Sequence, residues 1–236
     1  VAVDDSVRLR ADTLVVDRDV DTMLATGRVV VSDPKGTMFM AGDRGTRKPD
    51  RGETRMVGQA RSWQIDTVVG GDTTYVAGDT LVMLERAEGR QYQAYGQTRL
   101  VRGSVAAKAD TLLYNDVAGT VDLRGAPILW SDSMLLVADT IEAFAPGRTL
   151  ESVTGRSRGI LVAKNDTSAT DRFDQIGGDV VTLRIDRDTV RSLSAVGNAQ
   201  SITFRSEGEE REGLAKVASD TIRALFEAGQ LTDVYW

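Results

Sequence analysis

The stretch that decides the fold is ADTLLYNDVAGTVDLRGAPILWSDSMLLVADTI, residues 109–141. It begins with Ala-Asp-Thr-Leu and ends with Ala-Asp-Thr-Ile, and between them Gly125 follows the alternating run Thr120–Arg124. A pattern that returns at a period of about 20–50 residues is typical of proteins built from structural repeats. The stretch therefore predicts a chain made of copies of one unit.

Two kinds of residue mark the copies. An aspartate opens each one, at separations of 31, 36, 31, 29, 40 and 41 residues; these are Asp12, Asp43, Asp79, Asp110, Asp139, Asp179 and Asp220. A glycine follows its aspartate after 15 to 18 residues; these are Gly27, Gly58, Gly96, Gly125, Gly155 and Gly197. One half of each unit is therefore nearly constant in length, and the other half takes up the insertions.

Apolar residues recur at every second position around these anchors, outside the copy at Asp43. This period of two predicts β-strands with one buried face. The residue two positions before each glycine is apolar, and the residue five positions after it is apolar with one exception. The spacing of apolar residues from the glycine thus changes from even to odd, which predicts a bulge at the glycine. The side chains predicted to line an inner wall are Leu81, Met83, Leu112, Tyr114, Leu123, Trp130, Ile141, Val153, Ile160, Leu183, Ile202 and Ile222.

Three polar segments are predicted as loops. Asp43–Arg55 is rich in charge, glycine and proline, and its basic side chains are expected to be solvated, the alternative being contact with anionic head groups; they are Arg44, Arg47, Lys48, Arg51 and Arg55. The other two segments, Lys164–Phe173 and Ser206–Lys216, lie between a glycine and the next aspartate, where insertions are expected.

Composition excludes several classes of protein. The chain has 236 residues, a net charge of −6, no histidine and no cysteine. These numbers disfavour a nucleic-acid binder and exclude histidine-based catalytic triads and thiolate chemistry. No apolar run is long enough for a transmembrane helix. We therefore expect no metal and no cofactor.

Short strands with one apolar face each close as a sandwich, barrel or solenoid. A repeat of about 30–40 residues favours a solenoid-like stack of antiparallel strands in which each layer buries its apolar face on its neighbours. We expect an all-β fold forming a single domain over residues 1–236. Both ends of the chain are expected to fall within a repeat, and any export signal is expected to have been removed or to lie outside the given sequence.

Three motifs resemble a known family. They are Leu123-Arg-Gly-Ala-Pro-Ile-Leu-Trp130 with Ala138-Asp-Thr-Ile141, Phe173-Asp-Gln-Ile-Gly-Gly178, and Val196-Gly-Asn-Ala-Gln-Ser-Ile202. They are similar to the OstA-like family of lipopolysaccharide-transport proteins, which includes the LptA-type bridge and the N-terminal domain of LptD. The resemblance implies a twisted β-jellyroll in the periplasm whose apolar groove shields lipid A acyl chains. It also implies partners: lipopolysaccharide, and other Lpt-type jellyrolls or a second copy, joined by end-to-end strand pairing.

Other functions stay open at this stage. The chain could be a structural or adhesin solenoid with a sealed core, or a carbohydrate-active β-solenoid enzyme. The recurring Asp–Thr pairs invite a catalytic or calcium-binding interpretation. Catalysis requires two carboxylates in different environments, however, and a regular ladder gives every copy the same environment. We therefore expect a protein that is not an enzyme, in which each aspartate closes a turn by accepting bonds from nearby backbone amides.

Overall fold

Alternation of apolar and polar side chains, with glycine at the bends, produces long antiparallel strands almost throughout the chain. The computed structural model describes residues 2–3, 7–67, 72–131, 134–164, 173–187, 189–207, 211–227 and 230–236. Their helical content is two single turns of 3₁₀ helix, at Pro49–Arg51 and Pro146–Arg148. Among these residues, no helix has the length and apolar character needed to cross a membrane.

The chain divides into two compact units, Val1–Ala118 and Gly119–Trp236. The strands of the first unit are β1 Ala2–Val3, β2 Arg8–Arg10, β3 Thr13–Asp17, β4 Thr22–Ser32, β5 Met38–Lys48, β6 Glu53–Ile65, β7 Thr73–Arg86, β8 Gly89–Arg102 and β9 Val105–Asn115. From β4 to β9 each strand pairs antiparallel with the next. Strands β2 and β3 pair with successive parts of β4, so together they act as one strand interrupted near Asp12.

The second unit contains β10 Thr120–Arg124, β11 Ile128–Ser131, β12 Met134–Val137, β13 Thr140–Phe144, β14 Ser152–Lys164, β15 Phe173–Asp186, β16 Thr189–Glu207, β17 Arg211–Glu227 and β18 Gln230–Tyr235. Strands β12 and β13 pair with successive parts of β14, and from β14 to β18 each strand pairs antiparallel with the next. The predicted fold class, an all-β jellyroll of antiparallel strands, is confirmed. The single domain over residues 1–236 stays a prediction.

A bulge bends the strands at a recurring pair of residues with positive φ. In β4 the pair is Gly27 and Arg28, with φ of 74° and 48°, and the register of β4 against β5 shifts there. The other pairs are Gly58 and Gln59, Gly96 and Gln97, Gly125 and Ala126, Ser157 and Arg158, and Gly197 and Asn198. The prediction that Gly155 marks the bulge of β14 is therefore wrong. Ser157 and Arg158 take that place, because a left-handed pair can be formed without glycine at some energetic cost.

The sequence pattern predicted that, beyond the bulge, the buried residues lie at odd offsets from the glycine. In the structure they stay at even offsets. In β4 the buried residues after the bulge are Val29 and Val31, which lie two and four positions beyond Gly27. The reason is that two left-handed residues take up the extra length on the glycine strand and preserve its alternation. The alternation shifts by one residue on the partner strand β5 instead. On that strand an odd-numbered residue, Gly45, faces Ala25 before the bulge of β4, and an even-numbered residue, Met40, faces Val31 after it. The apolar residues five positions after the glycines therefore lie on the outer face.

Two of the predicted loops are largely strand. Residues 43–48 belong to β5 and residues 53–55 to β6, so only the turn around Pro49–Arg51 interrupts Asp43–Arg55. Similarly, β16 and β17 form a hairpin that includes the pairs Phe204 with Leu214 and Ile202 with Lys216. Cross-strand pairing outweighed local polarity in both segments. Most of Lys164–Phe173 lies outside the described residues.

Candidate functional site

A continuous apolar row crosses the inner face of the first unit. Neighbouring strands place its members opposite one another. They are Leu14, Ala25, Gly45, Met56, Leu81, Ala94 and Leu112. All except Leu14 are buried. Because alternate residues of a strand share a face, the row follows directly from the period of two in the sequence.

Methionine dominates the most deeply buried part of this interior. Met38, Met40, Met56 and Met83 are each at most 2 % exposed. The sequence-based prediction included only Met83. A signal was present, because five of the six methionines precede residue 84. Methionine is unbranched and polarizable, so a methionine-rich interior can change its shape at low cost.

The second unit has an equivalent inner row. Ile141 faces Gly155, and Val181 and Ala195 continue the row on the next two strands. Its complete membership is Leu123, Ile141, Gly155, Val181, Ala195 and Ile222. A side chain at Gly155 would contact Leu136 Cδ1 at 3.3 Å and Ala138 Cβ at 3.2 Å. The glycine therefore lets the apolar side chains of the two parts of the sheet approach each other.

The twelve predicted wall residues divide between the two faces. On the inner face of the first unit lie Leu81, Met83, Leu112 and Tyr114, the last half-buried with its ring centroid 5.8 Å from that of Tyr92. On the inner face of the second unit lie Leu123, Ile141, Val153, Leu183 and Ile222. Trp130, Ile160 and Ile202 lie on the opposite face, and Ile160 is 43 % exposed.

Arg47 departs from the predicted solvated basic cluster, because its side chain is only 3 % exposed. It shares the inner row of Thr54 and Met83. Its Nη1 donates to Thr54 Oγ1 at 2.9 Å, and its Nη2 donates to Glu85 Oε2 at 3.1 Å. A buried cation is tolerated only when it is paired and hydrogen-bonded. Nearby, burial raises the pKa of Tyr92, against the opposing effect of Arg90.

The recurring aspartates hold the bulges. The backbone N–H of Asp12 donates to Gly27 O at 2.9 Å, and its carboxylate accepts from Arg28 Nη2 at 2.6 Å. The bond from Arg28 lowers the pKa of Asp12. Asp139 and Asp179 accept in the same way from Arg158 and Asn198. In these three copies the carboxylate bonds to a side chain on the neighbouring strand, whereas the sequence pattern predicted bonds to nearby backbone amides. Among the described residues, no group of three or more acidic side chains could hold a metal ion.

Comparison with known proteins gave one type of match. No family model matches the chain, and no curated protein matches it. Among solved structures, the chain is similar to LptH from Pseudomonas aeruginosa, the LptA-homologous periplasmic component of the lipopolysaccharide transport device. The match has 21 % identity and a TM-score of 0.42, and it covers 46 % of this chain and 74 % of LptH. The fold assignment rests on the strand order and registers of this chain and not on that similarity.

Proposed function

We propose that this chain is a non-enzymatic lipopolysaccharide-binding protein of the periplasm that shields lipid A acyl chains and passes them toward the outer membrane. The observation that carries the proposal is the continuous apolar row across the inner face of each unit. The OstA-like motifs at Leu123–Trp130 and Val196–Ile202 support the same function. In this proposal the acyl chains lie along the inner rows, and the sugars stay in water.

The energetics explain why such an interior would be needed. Each methylene exposed to water costs about 0.8 kcal/mol, so an acyl chain of about twelve carbons costs roughly 10 kcal/mol. An apolar wall removes most of that cost, because it resembles the membrane interior as a solvent. The methionines of the first unit suit this task, since their flexible side chains can move aside when a chain enters.

We also propose that β18 provides a docking edge for another jellyroll. In the second unit β18 pairs antiparallel with β17. Leu231 is 52 % exposed and Tyr235 is 55 % exposed. An unpaired strand edge with apolar side chains is a ready template for strand addition. The occupant would be a second copy or an Lpt-type partner.

Displacement of a fluorescent fatty acid by lipopolysaccharide tests the proposed binding. We expect the probe to bind the purified chain, and Met56→Trp to weaken that binding about tenfold, because the indole fills the interior and costs about 1–3 kcal/mol in strain. Val57→Trp is the matched control, because Val57 is the next residue of β6 and is 40 % exposed on the other face. Circular dichroism verifies folding of both variants.

A sealed-core scaffold is the second candidate. The full burial of Met56 and Met83, both 0 % exposed, favours it. It predicts that the fatty-acid probe does not bind to the folded chain at all. Equal weakening by Met56→Trp and Val57→Trp would also contradict binding in the interior.

A further inference from the structure

The outer face of the first unit, beyond the bulges, carries two rows of side chains that the proposed function does not use. One row is Arg8, Ser32, Phe39, Trp63, Tyr75, Val101 and Ala106, and the other is Arg10, Val30, Ala41, Arg61, Ala77, Arg99 and Lys108. We call these fourteen positions the basic face. Cross-strand pairing places them side by side over seven strands, β2 and β4–β9.

Every charge on the basic face is positive, although the chain has a net charge of −6. The five basic residues are Arg8, Arg10, Arg61, Arg99 and Lys108. Arg61, Arg99 and Lys108 are exposed, and within the described residues none of the three forms an ion pair. Arg99 and Lys108 face each other directly on β8 and β9. Two like charges in this position repel each other, and an anion between them would relieve that repulsion.

Apolar side chains project from the same face. The Trp63 ring stacks on Phe39 with a centroid distance of 5.0 Å. Tyr75 and Val101 are 55 % and 45 % exposed. A hollow of about 470 Å³ opens between them, with Arg61 and Arg99 in its lining. Aromatic and aliphatic groups beside cations are typical of surfaces that insert into the head-group region of a lipid layer.

The corresponding face of the second unit is mostly apolar. Its two rows are Ile128, Val137, Ile160, Gly177, Gln200 and Ala218, and Trp130, Leu135, Val162, Gln175, Ile202 and Lys216. Lys216 is the only charged residue among these twelve positions. Strands β11 and β12 and residues 159–163 of β14 are largely apolar on both faces. Strands with that character are normally covered on both sides.

The aspartates of the bulges border the basic face of the first unit. Asp43, Asp79 and Asp110 lie two residues further along β5, β7 and β9 from Ala41, Ala77 and Lys108, and are therefore on the same side of the sheet. Asp12 is already paired with Arg28. These aspartates restrict how the face can lie against an anionic layer. The layer would be attracted by the basic and aromatic rows and repelled at the aspartates.

We propose that the basic face of the first unit binds an anionic lipid surface, with Trp63, Tyr75 and Val101 entering the head-group layer and Arg61, Arg99 and Lys108 contacting phosphate groups. Charge complementarity selects this occupant: the face is positive and apolar, and an anionic lipid leaflet offers phosphates above hydrocarbon. Arginine binds phosphate through paired N–H groups. Docking through this face is separate from acyl binding at the inner rows, because the two sets of side chains project from opposite sides of the strands.

Vesicle co-sedimentation of the full chain tests the proposal. Vesicles of phosphatidylcholine alone are compared with vesicles that also contain phosphatidylglycerol. We expect binding to the anionic vesicles only, and weaker binding at high salt. Each cation near an anionic surface contributes roughly fivefold in affinity, so the triple variant Arg61→Gln, Arg99→Gln, Lys108→Gln should bind at least about tenfold more weakly.

Two further variants separate charge from the apolar contribution. The control for the triple variant removes three exposed cations elsewhere, with Arg18→Gln, Arg184→Gln and Arg187→Gln, and should bind as the unaltered chain does. Tyr75→Ser with Val101→Ser should weaken binding severalfold without affecting the fatty-acid probe. No binding to anionic vesicles, equal losses in the triple variant and its control, or binding to a soluble polyanion in preference to vesicles would each overturn the proposal.

Discussion

At the turn between β4 and β5, the carboxylate of Asp33 bonds to several groups at once. It accepts from Thr37 N at 2.7 Å, Met38 N at 2.8 Å and Thr37 Oγ1 at 2.8 Å. Burial would raise the pKa of Asp33, but the bonds from Met38 and Thr37 outweigh it and hold the pKa below the usual value for an aspartate. The turn thus depends on a charged acceptor, since bonds to a charged group are stronger than neutral ones.

Asp33→Asn should lower the free energy of unfolding by about 1–2 kcal/mol at neutral pH. The folded-state pKa lies below the unfolded-state pKa, so the stabilisation by the carboxylate is complete above the unfolded pKa and is lost as the pH falls through the folded pKa. Urea unfolding from neutral pH down to about pH 2 measures this, because the pKa of an aspartate in the unfolded chain, about 3.9, lies within that range. The difference between the two proteins should shrink at the acid end. A constant difference would contradict the role of the charge.

At the scale of the strand, the sequence predicted the period of two correctly but assigned part of it to the wrong face. Before the bulge, Leu81, Leu112 and Ile141 are buried, as the alternation indicated. After it, the outer positions are also apolar, as at Trp63 and Val101, so hydrophobicity no longer distinguishes the faces. Which alternate residues face inward is therefore decided by the pair of left-handed residues at each bulge. Ser157 and Arg158 show that this pair can form without glycine.

Ile141 and Ile160 provide a direct test of this assignment. Ile141 is 0 % exposed and Ile160 is 43 % exposed, on neighbouring strands of the second unit. Ile141→Ala should reduce the free energy of unfolding by about 2–5 kcal/mol, because it leaves a cavity in the interior. Ile160→Ala should cost less than about 1 kcal/mol. Denaturant unfolding measures both, and similar losses for the two variants would contradict the assignment.

Other features depended on contacts that no local pattern contains. The segment Asp43–Arg55 reads as a loop because Gly45 and Arg47 occupy apolar positions of the repeat. Gly45 makes room in the structure instead: a side chain there would lie 2.9 Å from Val29 Cγ1. Arg47 finds Glu85 on a strand 38 residues away. Distant pairing of this kind requires the three-dimensional arrangement of β5, β6 and β7.

At the scale of the whole molecule, each unit carries its own apolar inner row and its own outer face. We propose that the inner rows hold acyl chains and that the basic face of the first unit contacts anionic lipid. The two surfaces differ in charge as well as in burial. Arg47 is a buried charge on the inside, and its pairing with Glu85 keeps it compatible with an apolar environment. Loss of one activity should therefore leave the other intact.

The central proposal, that acyl chains lie against the inner rows, is tested most directly by site-specific photo-crosslinking to lipopolysaccharide at Tyr114 and Leu113. These residues are neighbours on β9 and project from opposite faces, and Tyr114 already carries an aromatic ring that a benzophenone side chain can replace. The account predicts labelling of lipid A from position 114 and little or none from position 113. Equal labelling from both positions, or labelling from position 113 alone, would contradict it.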